Sequence, residues 1–138
     1  MAKLESVKTS ASVRTIRSAQ SLPVIESTLC GYVDIPTVQE LSVQLDVAFK
    51  VPHPPFVFWL VDAIGVTGFS PRIVQPAGRA FRSFREQGGR HLVLAASLSN
   101  VRMIVRALGL AAQVRVEAFQ DFAAAQSALR QDLAAFRR

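Results

Sequence analysis

The sequence predicts an α/β fold: a mixed, mostly parallel sheet of four to five strands with about four helices. Three observations predict it. Short apolar runs alternate along the chain with segments of helical periodicity. Capping and stop signals punctuate the helical segments. The run from Phe56 to Ala63 is apolar on both parities, as a strand covered on both faces must be. Strands that alternate with helices are joined by crossovers, and such crossovers pair strands in parallel.

Residues 1–12 are rich in Ser, Lys and Thr and read as a mobile tail. Residues 13–138 read as one domain, a length that suits a single core. Val13 to Ala19 alternates weakly, as an edge strand does, and this first strand can lie antiparallel. Ser21-Leu22-Pro23 marks a turn. Val24 to Val33 is a second strand, with Gly31 marking a bulge or the close approach of another backbone. Asp34-Ile35-Pro36 ends it. Thr37 and Glu40 match a capping box, and Val38, Leu41, Leu45, Ala48 and Phe49 follow at helical spacing. Pro52, Pro54 and Pro55 stop that helix.

The strand from Phe56 runs into a segment read as a tight polar loop, and the loop Thr67 to Arg72 with the helix after it is the expected partner-binding segment. Ser70-Pro71 then opens a helix, with Ser at the N-cap and Pro at the first helical position. Ile73, Val74, Ala77, Phe81 and Phe84 form its apolar stripe. Pro76 implies a kink, or a regular helix that begins only near Gln75. Gly88-Gly89 terminates it. His91 to Ala96 is a short strand. Ser97 or Ser99 caps a helix from Asn100 to Leu108, with Gly109 past its end. Val114 to Val116 is a brief strand. Asp121 caps the last helix, whose stripe is Phe122, Ala125, Leu129, Leu133 and Phe136.

Composition narrows the function classes. The 138 residues are half apolar and carry a formal charge of +6, from 16 basic and 10 acidic side chains. Most of the basic residues are Arg, a balance that suits an acidic partner. The one cysteine, Cys30, excludes an internal disulfide and reads as an inert core thiol. Met1 to Ala19 has no continuous apolar run like that of a secretory signal, and no segment has the length of a membrane span. The expectation is a cytoplasmic protein. His53 and His91 lack Cys, His or carboxylate neighbours at metal-ligand spacing, so no metal is expected. A nucleophile elbow is absent. Gly65 and Gly68 do not make a phosphate loop. No cofactor is implied, and the chemistry points away from an enzyme.

Several residues, taken in order, resemble the STAS domain of bacterial anti-sigma-factor antagonists and stressosome proteins. Leu29-Cys30-Gly31-Tyr32-Val33-Asp34 is similar to that family's strand and turn. Leu60 to Thr67 resembles its central strand and following turn, and Glu86 to Leu94 its second helix end and next strand. Leu108-Gly109-Leu110, with Val116, Phe119, Ala124 and Ala128, resembles its closing segment. The resemblance implies a non-catalytic interaction module that binds a regulatory protein, such as an anti-sigma factor or kinase, or a STAS scaffold. Homo-oligomers fit the same picture. The family's phosphoacceptor motif, Asp-Ser-Ser-Gly, falls here on Ser70-Pro71-Arg72-Ile73, which puts Arg72 at the phosphoacceptor position. Ser70 and Thr67 are the hydroxyls nearby. A phosphorylated Ser70 would sit at the positive end of a helix dipole. Unmodified, it is a plain cap contributing about 1 kcal/mol.

The assigned partner-binding residues are Asp34, Thr67, Gly68, Phe69, Ser70, Arg72, Arg79 and Arg82, with Ser70 the candidate phosphosite. Each has a simpler reading. Asp34 can stabilise a turn. Asp62, in an apolar run, can bond to loop amides. The run Arg72, Arg79, Arg82, Arg85 and Arg90 can be a solvated face, and Arg102 and Arg106 can extend it. Trp59 reads as core. Two alternatives remain at this stage. One is a small apolar ligand or lipid in a cavity lined by Phe56, Phe58, Phe81 and Phe84. The other, less favoured, is nucleic-acid binding by the Arg face.

Overall fold

The computed structural model describes residues 9–17, 23–50 and 55–136. Five strands and four helices follow the order expected. They are β1 (Ser10–Arg17), β2 (Pro23–Val33), α1 (Ile35–Lys50), β3 (Phe58–Phe69), α2 (Val74–Glu86), β4 (His91–Ala95), α3 (Ser99–Ala112), β5 (Arg115–Phe119) and α4 (Phe122–Phe136). The sheet order is sequential, β1-β2-β3-β4-β5. β1 is antiparallel to β2, and the remaining pairs are parallel. The sequence-predicted fold class is what the structure has.

The sequential order explains the layers. Each of the three parallel crossovers steps one strand in the same direction. A common hand therefore puts α1, α2 and α3 on one face. There they bury Ile25, Trp59, Val61, Leu92 and Leu94 of the sheet under Leu41, Leu45, Phe81, Phe84 and Val101. The other face is left to α4, whose Ala125, Leu129 and Leu133 pack on Val24, Phe58, Leu60, Val93 and Ala95. Toward β1 that second face turns polar. Glu26, 8% exposed, pairs there with Arg14.

The edge strand is tied down by α1. The Gln44 side chain accepts from Val13 N at 2.8 Å and donates to Ala11 O at 3.0 Å. Such pairing blunts an edge that would otherwise offer free backbone groups. β1 begins at Ser10, so residues 10–12 belong to the sheet rather than to a tail, while 1–8 lie outside the described residues. Ala19, the turn at 21–22 and the segment 51–54, with His53, also lie outside them.

Local expectations were met or shifted for identifiable reasons. Gly31 has φ +80°, and a Cβ there would lie 2.8 Å from Thr9 Cα, so the close approach expected is real. The β2–β3 register shifts on both sides of it. The capping box moves by one step. α1 starts at Ile35, Asp34 Oδ1 accepts from Ile35 N at 2.8 Å, and Thr37 Oγ1 accepts from Asp34 N at 3.5 Å. Asp34 thus plays the cap, Thr37 reaches back, and Glu40 accepts from Gln44 Nε2 instead.

α3 needs two corrections. It runs through Gly109 to Ala112, and neither Ser97 nor Ser99 caps it. Its N-cap is Leu98, and Arg102 Nη1 holds the preceding turn by donating to Ala96 O and Ser97 O, at 2.7 and 3.0 Å. Gly109 is inside the helix because a Cβ would lie 2.3 Å from Val116 Cγ2, and the helix ends at Gln113 with φ 62°. In α4, Asp121 caps as expected: its Oδ1 accepts from Ala124 N at 2.8 Å.

Candidate functional site

The segment read as a polar loop is strand. β3 continues through Gly65, Thr67 and Gly68 to Phe69, paired with Cys30, Gly31, Tyr32 and Val33 of β2. The glycines serve packing rather than a turn. Gly65 lies beneath Cys30, whose Sγ would be 3.1 Å from an added Cβ, and Gly68 lies beneath the Tyr32 ring at 3.4 Å. Asp62 helps the strand bulge, its Oδ1 accepting from Ile64 N at 3.2 Å. The expected loop 67–72 is therefore a strand end plus one turn of 3₁₀ helix, Pro71–Ile73.

Ser70 makes that turn. Its Oγ accepts from Arg72 N at 3.2 Å, its carbonyl accepts from Ile73 N, and its own N–H donates to Val33 O at 2.9 Å. The residue is 7% exposed. The capping role is in place, and burial of the hydroxyl runs against modification in this conformation. Pro76 produces no break. It falls in the first turn of α2, where its missing N–H has no intrahelical partner to lose.

Around this corner the structure gathers most of the assigned residues at the C-terminal edge of the sheet. Thr67 and Arg72 are exposed, Gly68 and Phe69 half-buried, and Phe69 packs against the principal core. Asp34 sits beside them at the start of α1. Arg79 and Arg82 continue down the outer face of α2. With Val74, Gln75 and Gly78 they form one wall of a groove of about 410 Å³. Leu108, Ala111 and Ala112 of α3 form the other. The rest of the basic run is dispersed. Arg85 and Arg90 lie toward the opposite edge, Arg90 Nη1 donates to Gly89 O, and Arg102 is occupied by its carbonyls.

One residue of this corner was missed from sequence. Tyr32 is 51% exposed and stands over Gly68. It reads as strand interior, and only the bulge at Gly31 turns it outward. Trp59, by contrast, is core as expected, with Nε1 donating to Ser27 Oγ at 2.8 Å.

The principal core lines an all-apolar, partly open cavity of about 80 Å³, bordered by Phe69 and Phe81 but not by Phe56, Phe58 or Phe84. An engineered cavity of about 150 Å³ accepts benzene. The space here is about half that size, and its lining leaves out three of the four aromatic residues expected.

A second cluster escaped the sequence reading. His91 opens β4, Glu117 lies on β5 and Asp132 on α4. His91 Nε2 is 3.5 Å from Glu117 Oε1 and 3.4 Å from Asp132 Oδ2. Phe58 stacks on the imidazole with centroids 5.4 Å apart. Burial pushes the His91 pKa below its usual value, against the Asp132 charge that favours the imidazolium. Burial, then Asp132, pushes the Glu117 carboxyl up.

No family model matches the chain, and no curated protein matches it in sequence. Among solved structures it is similar to an uncharacterised protein of the DUF3478 family, with a SpoIIAA-like fold, from Shewanella loihica PV-4. The TM-score is 0.67 at 13% identity, over 91% of this chain and 98% of that one. This likeness establishes the fold: SpoIIAA-like, the STAS architecture that the residues resemble. Among the described residues no helix is long and apolar enough to cross a membrane.

Proposed function

We propose that this chain is a non-catalytic interaction module of the anti-sigma-factor-antagonist type. It docks an acidic face of a regulatory protein on the corner of Tyr32, Thr67 and Arg72 and along the outer face of α2. The observation that carries the reading is the line of exposed guanidinium groups at Arg72, Arg79 and Arg82, which recur at helical spacing. Beside it lies a groove with an apolar wall on α3. Basic side chains steer an acidic partner, and the apolar wall and Tyr32 supply the desolvated contact. Over 13 residues α2 offers an edge of about 20 Å. Its action is occlusion: a partner seated there cannot use the same surface for anything else. The fold that the solved neighbour shares supports this reading, and so does the STAS-like run of residues around β2 and β3.

The test is a binding titration. A partner cross-linked to the chain in its source cell is identified, purified and titrated against wild type and the Arg72→Glu, Arg79→Glu, Arg82→Glu variant. Affinity falls at least about tenfold in the variant, and the wild-type on-rate drops as salt rises. Equal affinities for both proteins would place the docking surface elsewhere.

A further inference from the structure

From the His91–Glu117–Asp132 cluster we infer a second site: a binding site for a divalent transition-metal ion, with Zn2+ the best fit, that ties α4 to the sheet. The three donors come from three different elements, and one nitrogen or oxygen of each lies within 4.8 Å of the others. His91 Nε2 stands 3.5 and 3.4 Å from the two carboxylate oxygens. Donors at 2.0–2.2 Å from a tetrahedral zinc are about 3.3–3.6 Å apart, so the spacing of His91 Nε2 from both carboxylates already has the scale such an ion requires. The same separations lie beyond the usual 2.7–3.2 Å of a hydrogen bond.

The second observation is the burial of the three atoms. His91 Nε2, Glu117 Oε1 and Asp132 Oδ2 are each buried with no hydrogen-bond partner among the described residues. Buried polar atoms are normally hydrogen-bonded, and three that converge without a hydrogen bond, in contact only with one another, point to a shared cation. The surroundings suit it. Arg115 Nη2 lies 3.4 Å from Glu117 Oε2, so the guanidinium holds the other oxygen and leaves Oε1 to the ion. Phe58 fixes the imidazole plane, and Phe136 meets Phe58 edge-on at 5.6 Å. Such outer contacts orient ligands and exclude water. Glu117 and Asp132 keep 24% and 23% of their side chains exposed, which leaves an approach from solvent. The donor set of one imidazole and two carboxylates suits zinc or its neighbours better than calcium or magnesium, which take oxygen. Three protein ligands leave a fourth position for water.

The experiment uses the full chain without a histidine tag, freed of metal with a chelator and titrated with zinc chloride by calorimetry. Wild type binds one ion at micromolar or better affinity, and its melting temperature rises with zinc. Glu117→Gln and Asp132→Asn keep the shape and remove mutual repulsion, so both fold. Each weakens zinc binding by at least about tenfold and abolishes the zinc-dependent rise. Absence of saturable binding below roughly 100 μM, or binding unchanged in both variants, overturns the inference.

Discussion

Gly109→Ala sets two well-known effects against each other. In the interior of a helix, alanine is favoured over glycine by about 1 kcal/mol. At Gly109, however, the new Cβ would fall 2.3 Å from Val116 Cγ2 and 2.9 Å from the Val114 carbonyl oxygen. Carbon atoms prefer about 3.5–4.0 Å, so the overlap exceeds 1 Å. Val116 cannot easily turn away, because a β-branched side chain is stiff at χ1 and its backbone is paired with Leu92. Val114 cannot retreat either, since its N–H donates to Gly109 O at 2.8 Å. Overpacking of this kind costs about 1–3 kcal/mol. With one of the obstructing atoms in the backbone, the cost outweighs the helical gain. The expected net loss is up to about 2 kcal/mol, or a melting temperature lower by up to about 7 °C. Fluorescence of Trp59, the one tryptophan and 1% exposed, reports the unfolding. Gly78→Ala is the control. Its Cβ would meet the mobile end of Arg82 at 3.4 Å and Leu108 at 4.0 Å, so the helical gain survives and stability rises by up to about 1 kcal/mol. Adding Val116→Ala to Gly109→Ala recovers part of the loss beyond additivity. A higher melting temperature for Gly109→Ala than for wild type would refute the packing argument.

Three further outcomes follow from single contacts. Ser27→Ala strands the buried Trp59 Nε1–H and lowers stability by about 1–3 kcal/mol in denaturant titration, whereas no change would mean the indole finds another acceptor. Ser70→Ala removes the acceptor for Arg72 N and costs about 1 kcal/mol, and hydrogen exchange should speed up in the 3₁₀ turn Pro71–Ile73 rather than at the end of α2. Gly31→Ala forces an L side chain to φ +80° against Thr9 at a cost of at least about 1–2 kcal/mol, and a neutral melting curve would show that the segment before β1 moves aside freely.

What was legible in the sequence was whatever local chemistry decides. Ser70-Pro71 and Asp121 cap where their side chains reach backbone N–H groups a few residues on. The runs at Val24, Phe58 and His91 are strands because both of their faces are covered. Illegible features depend on partners distant in sequence. Gly65, Thr67 and Gly68 have turn composition, yet Cys30 and Tyr32 lie over the two glycines, and only the register of β2 against β3 reveals this. Gly109 resembles a helix stop because nothing nearby in sequence announces Val116 on the far side of the turn. His91, Glu117 and Asp132 share no spacing rule. Their meeting requires knowing that His91 pairs with Arg115 and that α4 crosses back over β4. Parity along the strands carries a trace of it, since His91 faces the same side as Val93 and Ala95.

The two faces of the sheet are unequal, and the inequality gives each proposed site its place. Three helices cover one face over a large continuous core, so α2 is a rigid platform whose outer side is free to meet a partner. The other face depends on α4 alone, through a smaller apolar cluster with a charged trio at its rim. His91 opens β4 at the N-terminal edge of the parallel strands, while the Ser70 corner follows the C-terminal end of β3. Those 12 residues of β3 set the Ser70 corner roughly 35 Å from His91, and α2 runs back toward that edge on the opposite face of the sheet. The sheet lies between the trio beneath α4 and the guanidinium groups of α2. The effect of a cation at the trio falls on the weaker layer, where a bond from β4 and β5 to α4 supplies the anchorage that a thin apolar cluster lacks. The two proposed sites therefore lie on opposite faces of the sheet, and the sequential strand order, which puts α1, α2 and α3 on one face and leaves the other to α4, is the physical reason.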